Sequence, residues 1–508
     1  MNNNLSLYSF FYKRKKIIYA VALLFTILFF WLYLPLSWDD SYISFRYALN
    51  LVNGNHWNWN NDNNVVEAYT NFSYAALSVI PILLKIDPTL FFKFLNLLWL
   101  LIIFLRLKKD LLQSSLFFIS MIILIFNPYL HYHAATGMET IFFIFLIFES
   151  GRLVIKKNDL IKSEIYLFLF LLLLLPLTRP EGLLYSIMFF LLFKKTYGNS
   201  LKFNIVLIAV ICIAVMYMIW RYSYFGKLFP NTFYLKSVKG IGFGNFLKFF
   251  DEAKIYLFVL TILNVLVRNK LYLIFSVLTV VIALFVYAPS DLNTTINDRF
   301  TIQIFLPIYL LSFYLVNQAY DKILFVMFLV FIIGRFYDYP KIASLNPQSF
   351  YYKEIGKTLS KYSKNNYKLM LGEAGIIPYF SGLQCFDFIG LANSELSTNK
   401  LTIDYVRKIS PDIIFLYGAG ENEDNINLNF YSQDVIVNYM KETNSYEFVG
   451  NLNNRDWCLK VFIHKSLPDY NSLNSELKIK LDKTYEFDGM SLYNKKNIYN
   501  WFTLKYIN

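Results

Sequence analysis

Long apolar runs, nearly free of charge, recur from the N-terminus to about Phe336, many near the roughly 20 residues a helix needs to cross hydrocarbon. In lipid the backbone must satisfy its own hydrogen bonds, so these runs predict helices. The first, Ile17 to Trp38, follows Lys13, Arg14, Lys15 and Lys16. It is too long for a signal peptide and lacks a small-residue cleavage site, which predicts a retained span with its N-terminus in the cytoplasm. Basic residues then set the alternation. Thr89 to Leu107 returns to Lys108 and Lys109, Thr140 to Ile155 to Lys156 and Lys157, and Leu183 to Phe193 to Lys194 and Lys195. Leu111 to Leu130, Tyr166 to Leu177 and Phe203 to Trp220 run outward between them, and Ile255 to Val267 comes back to Arg268. With Leu271 to Tyr287, Phe305 to Val316 and Ile323 to Phe336 the length rule predicts about eleven crossings. Tyr69 to Leu84, short and interrupted by Pro81, is expected to lie in the outer interface or dip into it.

After about Tyr339 polar residues and turn signals mix with short β-rich runs such as Leu369 to Leu371 and Ile413 to Tyr417. The pattern divides the chain into a membrane module, residues 1–338, and an external α/β domain, residues 339–508. No repeat of solenoid or transporter type is evident.

Composition agrees with this division. The chain is 56% hydrophobic and 19% aromatic, too apolar for an ordinary soluble enzyme. The net charge of +13 does not indicate nucleic acid, because Lys and Arg concentrate at the ends of apolar runs, where they set topology and meet lipid headgroups. Cys212, Cys385 and Cys458 have no CxxC spacing, although Cys385 and Cys458 could pair outside the cytoplasm.

The predicted topology gathers the polar clusters on the outer side. They are Asp39-Asp40 with Arg46, His131 to Glu139, Thr178-Arg179-Pro180-Glu181-Gly182, Arg221 to Lys236, and Asp298-Arg299. A pore or proton relay would scatter such groups through span centres. Here the interiors are nearly charge-free, with Glu149 and Arg152 the main exception. Paired carboxylates such as Asp39 and Asp40 serve as a general base, hold a divalent cation, or cap a helix beginning near Ser41. Arg179, Arg221, Lys227 and Arg299 suit a phosphate leaving group, Arg offering two parallel donors, or else anchor to headgroups. Glu139 and Glu181 are placed to pair with these basic groups. His131 and His133 form an HxH too sparse to indicate a metal, and His56, Trp57 and Trp59 suit interface anchoring or sugar stacking. Gly372-Glu373-Ala374-Gly375 is a tight strand-to-helix turn and not a GxGxxG, so no nucleotide is assigned.

Trp38-Asp39-Asp40-Ser41-Tyr42-Ile43-Ser44-Phe45-Arg46-Tyr47-Ala48 and Val66-Glu67-Ala68-Tyr69-Thr70-Asn71 resemble the first outer loop of bacterial GT-C glycosyltransferases, the arabinofuranosyltransferase-like group in particular. Gly137-Met138-Glu139-Thr140, Leu177 to Gly182, Tyr224-Phe225-Gly226-Lys227, Pro230 to Tyr234, Gly372 to Gly375 and Phe388-Ile389-Gly390-Leu391 follow in the same order, so the resemblance spans roughly residues 35 to 395. Ser290 to Arg299 departs from it, lacking the Gly- and Asp-rich loop that relatives carry before the Arg. The resemblance implies a GT-C membrane module with a periplasmic C-terminal domain, in the bacterial inner membrane. It implies an inverting enzyme that takes a sugar from a polyprenyl-phosphate donor to a cell-envelope glycan or glycoprotein. Its first-loop acid falls on Asp39 and its second on Glu139. Asp39 is then the expected base, with Arg46, Arg179, Glu181, Lys227, Asn231 and Arg299 at the donor phosphate and sugar. Asp40 and Glu139 are left to one of two roles, orienting the base or holding Mg or a similar divalent ion. The competing classes are a flippase of lipid-linked glycans, whose outer charges would only recognise phosphate, and a non-catalytic assembly protein, which leaves the acidic pair unexplained.

Overall fold

The computed structural model describes residues 7–32, 34, 36–156, 160–197, 201–237, 243–287, 299–337, 348–419, 425–453 and 458–485. Between Leu7 and Tyr337 every element is helical. Three described helices are long and apolar enough to cross a membrane: Pro88–Leu111, Leu207–Phe225 and Lys270–Tyr287. Ser115–Phe126 and Pro128–Ala135, bent by 54°, make a fourth if they form one span. The bend follows from local chemistry, since Pro128 has no N–H to donate and the Asn127 side chain caps the second helix by accepting from Tyr129 and Leu130 at 3.1 and 3.4 Å.

Against the roughly eleven crossings expected from the pattern, length and composition alone qualify these three or four among the described residues. Lys15–Leu32 and Phe243–Val267, with 18 and 25 residues, do not qualify, and several other runs form shorter helices. Thr140–Ile155 and Gly182–Tyr197 have 16 residues each and Lys162–Thr178 has 17. Such helices rise about 25 Å, short of the roughly 30 Å of hydrocarbon. Tyr69 to Leu84 does break up, into Phe72–Leu77 and Val79–Leu83.

Glu149 and Arg152, the charged exception in the spans, lie at 0% and 1% exposure. Arg152 donates to both oxygens of Glu149 at 2.8 and 2.7 Å and reaches Asp110 at 3.3 Å, while Asp110 also meets Lys156 at 2.7 Å. A buried charge is tolerable only when paired in this way.

The C-terminal part carries a five-stranded sheet. Its strands are β1 (Lys368–Leu371), β2 (Gln384–Asp387), β3 (Ile413–Gly418), β4 (Tyr446–Asn453) and β5 (Cys458–His464), in the order β2-β1-β3-β5-β4. β1 runs parallel to β2 and β3, and β5 runs antiparallel to β3 and β4. Helices Gln348–Ser360, Ile376–Ser381, Ile403–Ile409, Gln433–Thr443 and Tyr470–Tyr485 complete an α/β unit. The boundary expected at 338 and 339 lies outside the described residues. Cys385 in β2 and Cys458 in β5 are both free thiols. Three strand steps separate them, about 14 Å and beyond disulfide reach, so the pairing allowed by the sequence does not form.

Candidate functional site

Gly137, at φ +76°, turns the chain between Pro128–Ala135 and Thr140–Ile155 and leaves Glu139 at the N-terminal cap of the second helix. An acid is favoured at that end of a helix dipole. Arg179 ends Lys162–Thr178, where a cation is favoured, and Arg299 opens Arg299–Ser312. The fold brings these ends together. Glu139 Oε1 accepts from Arg179 at 2.6 Å and from Arg299 at 2.7 Å, and Oε2 accepts from Asn71 at 2.8 Å. Arg179 donates with its Nε to Glu181 at 2.5 Å. Glu181 also accepts from Tyr287, whose hydroxyl accepts from Gln303 at 2.7 Å. Burial alone would push the Glu139 carboxyl up, but Arg299 and Arg179 outweigh it and hold it at about 2. Arg299 meets Glu139 through Nη2 alone, and its Nε is buried with no hydrogen-bond partner among the described residues. Asp298, expected beside it, lies outside them.

The first-loop acids sit close by but have other partners. Helix Asp39–Val52 is tied to the Glu139 turn by the Trp38 N–H, which donates to Thr136 O at 3.2 Å. Ser44 extends the link by donating to Asn71 at 2.7 Å, and Asn71 holds Glu139. Asp39 itself accepts from two backbone amides of the C-terminal unit, Gly375 at 3.0 Å and Ile376 at 2.7 Å. Its carboxyl is raised by burial and by Glu373, against the pull of those amides. Asp40 is exposed.

Arg46, expected at the donor phosphate, stitches the same seam. It donates to Trp59 O at 2.5 Å, Asn60 Oδ1 at 3.1 Å, Leu383 O at 2.8 Å and Pro378 O, which leaves the guanidinium ringed by protein acceptors. Trp59 is fully buried, donates to Ala374 O at 3.0 Å and lies under Arg46, so it is a plug in the seam and neither an interface anchor nor a sugar platform. Lys227 and Asn231 make another join. Lys227 donates to Asn231 at 3.1 Å and, across to the C-terminal unit, to Ser394 O at 3.0 Å and Ser397 at 2.8 Å. Arg221 is paired with Glu67, its Nε reaching both oxygens at 2.9 and 2.7 Å. His131 is buried against Ile125 O at 2.5 Å.

The turn Gly372 to Gly375 therefore has a job the sequence left open. It follows β1 and feeds helix Ile376–Ser381. Glu373 within it accepts from Tyr352 at 3.1 Å and Tyr417 at 2.9 Å, and burial raises its carboxyl to about 7. Asp387 accepts from Ile389 at 2.8 Å and Ala392 at 2.7 Å, yet burial still raises it to about 6. Both values exceed those of unfolded carboxylates, about 4, so between that pH and neutrality the folded state keeps protons that the unfolded chain has released. The contribution of these two groups to stability is accordingly full below about pH 4 and is lost as pH rises through about 6 and about 7. Thermal unfolding of the C-terminal unit within the whole protein should show a lower midpoint at pH 8 than at pH 5, with a smaller difference in Glu373→Gln. Equal midpoints would argue against this assignment.

This donor set does not fit the divalent ion expected at Asp40 and Glu139. Two guanidinium groups already hold the same Glu139 oxygen, and among the described residues no three His, Cys, Asp or Glu side chains gather in a metal-holding group.

Of the expected residues, Glu139, Arg179, Glu181 and Arg299 form one network, Asp39 and Arg46 bind across the seam with Asp40 exposed next to Asp39, and Lys227, held by Asn231, makes a second join to the C-terminal unit. Asn71, Tyr287, Gln303 and Glu373 were not among the expected site residues. Gln303 stands four residues after Arg299, but both precede the helix expected over Phe305 to Val316, and only the structure puts them on one helix. No curated protein and no solved structure matches the chain. Residues 342–471, which include Gly375 and the rest of the C-terminal side of the seam, match the family model described as Domain of unknown function (DUF8728), a match over less than half of the chain.

Proposed function

We propose that this protein is a multi-pass GT-C-type glycosyltransferase of a bacterial inner membrane, moving a sugar, with arabinofuranose favoured, from polyprenyl phosphate to a cell-envelope glycan or glycoprotein. In this reading the shorter helices join the three long ones in a bundle of about eleven crossings. The N-terminus is cytoplasmic, and the outer loops and C-terminal unit face the periplasm. The observation that carries the proposal is the buried Arg179 and the half-buried Arg299, bridged by Glu139, with Arg299 Nε still unsatisfied among the described residues. Two guanidinium groups in a water-poor place, one with a spare donor, suit a phosphate that gains charge as it leaves.

The donor's prenyl tail would stay in lipid while its phosphosugar enters this site. Asp39 takes the proton of the acceptor hydroxyl, and its raised proton affinity makes it a stronger base than an ordinary carboxylate. The acceptor oxygen bonds to the anomeric carbon as the bond to phosphate breaks, a single displacement that inverts the carbon. Arg179 and Arg299 hold the departing phosphate, with Glu139 and Glu181 keeping both guanidiniums in place.

Purified protein given labelled polyprenyl-phosphate arabinofuranose and envelope glycan should release free polyprenyl phosphate. Asp39→Asn should abolish that release while leaving membrane insertion intact, and normal turnover by this variant would refute the base assignment. A flippase would release none even as the wild type.

A further inference from the structure

One side chain in the arginine network has no part in the chemistry above. Gln303 lies on helix Arg299–Ser312, four residues after Arg299, so the two share a face of that helix. It is fully buried. Its Nε2 donates to the Tyr287 hydroxyl at 2.7 Å and approaches Glu181 Oε1 at 3.4 Å. Tyr287 gives its own proton to Glu181, so toward Gln303 its oxygen can only accept, and the amide must turn its NH₂ that way. Gln303 Oε1 is thereby left buried without a hydrogen-bond partner among the described residues, as is Arg299 Nε.

A buried acceptor without a donor is destabilising, and a side chain with only a packing role would do better without it. The two unanswered atoms are complementary in kind: an N–H suited to an anionic oxygen, and a carbonyl suited to a hydroxyl. Residues four apart on a helix are separated by about 6 Å, the scale of one sugar ring and its phosphate. A ligand that satisfies both carries a phosphate and a neighbouring hydroxyl.

We infer that Gln303 is a specificity-determining residue of the transfer site, accepting a hydrogen bond from one hydroxyl of the donor sugar while Arg299 holds the adjacent phosphate. The inference rests on the glycosyltransferase reading given above. Its test compares wild type and Gln303→Met, a near-isosteric change that removes the acceptor, on polyprenyl-phosphate arabinofuranose and its monodeoxy forms. Wild type should use one deoxy donor with kcat/KM lower by on the order of tenfold to a hundredfold, because that donor leaves the amide oxygen unpaired. Gln303→Met should treat the same pair alike, with inhibition by sugar-free polyprenyl phosphate unchanged, whereas Arg299→Gln should weaken that inhibition. Should Gln303→Met fail to assemble, Gln303→Asn, which keeps the amide but draws its oxygen back by one methylene, is expected to lose the discrimination, and discrimination equal to wild type there overturns the inference. Wild-type discrimination surviving in Gln303→Met, or absent from wild type, also overturns it. A wild type inert toward every donor defeats the glycosyltransferase reading instead.

Discussion

Gly375→Ala should part the C-terminal unit from the first-loop helix and reduce sugar transfer by a hundredfold or more, on the order of 3 kcal/mol or above. A Cβ at this position would stand 1.9 Å from the Asp39 carbonyl oxygen and 2.6 Å from its carbon. These are backbone atoms and cannot rotate aside. Relief requires the two segments to move apart, which breaks the amide bonds from Gly375 and Ile376 to the Asp39 carboxylate. Hydrogen bonds to a charged group contribute about 1.5–3 kcal/mol each, so the loss of two is large on the scale of a folded protein's margin. The neighbouring bond from Trp59 to Ala374 lies in the same seam and should weaken with them. Limited proteolysis of the whole protein in detergent should release the C-terminal unit faster than in wild type, with insertion of the helices unchanged. Gly334→Ala is the control, since its Cβ would meet nothing within 4 Å. A Gly375→Ala protein as protease-resistant and as active as that control would contradict the seam.

Arg179→Met should be the most destabilising change in the arginine network, costing about 3–5 kcal/mol, because removal of one partner strands buried charge. Arg179 stands between two carboxylates, with its own side chain at 8% exposure and those of Glu139 and Glu181 at 1% and 2%. Without it Glu139 keeps Arg299 and Asn71, but Glu181 keeps only the neutral Tyr287 and Gln303 among these contacts. The second change Glu181→Gln should therefore restore much of the loss, and the size of that recovery shows how much of it comes from stranding the Glu181 charge. Arg179→Lys should fall between, since a single ammonium cannot present the forked donors that reach both acids. Unfolding midpoints of the four proteins in one detergent decide the matter. A midpoint for Arg179→Met equal to that of wild type would show that the pairing contributes nothing.

Much of this was legible along the chain because it depends on neighbours in sequence. Apolar runs foretold helices, and β-rich runs at Leu369 to Leu371 and Ile413 to Tyr417 became β1 and β3, whereas the bend at Asn127 and Pro128 interrupts what the pattern gave as one span, Leu111 to Leu130. Glu139 and Glu181 were placed to pair with basic groups, and both do so. Run length did not overstate these helices, since Thr140–Ile155 matches its run and Lys162–Thr178 and Gly182–Tyr197 exceed theirs, but the polar turns at 136–139 and 178–182 hold all three below 18 residues.

The partners of Asp39 and Arg46 were not legible. Their partners across the seam are backbone groups more than 300 positions away, and every residue carries the same amide, so side-chain identity cannot announce them. Whether an arginine faces a ligand or a ring of carbonyls, and which oxygen of a buried glutamine goes without a donor, is decided only when distant segments pack. Local periodicity determined where the chain is helical and where it turns, since those choices are made within a few residues. Tertiary packing decided which charges meet, because in a water-poor interior each one is stable only beside a partner that the fold delivers.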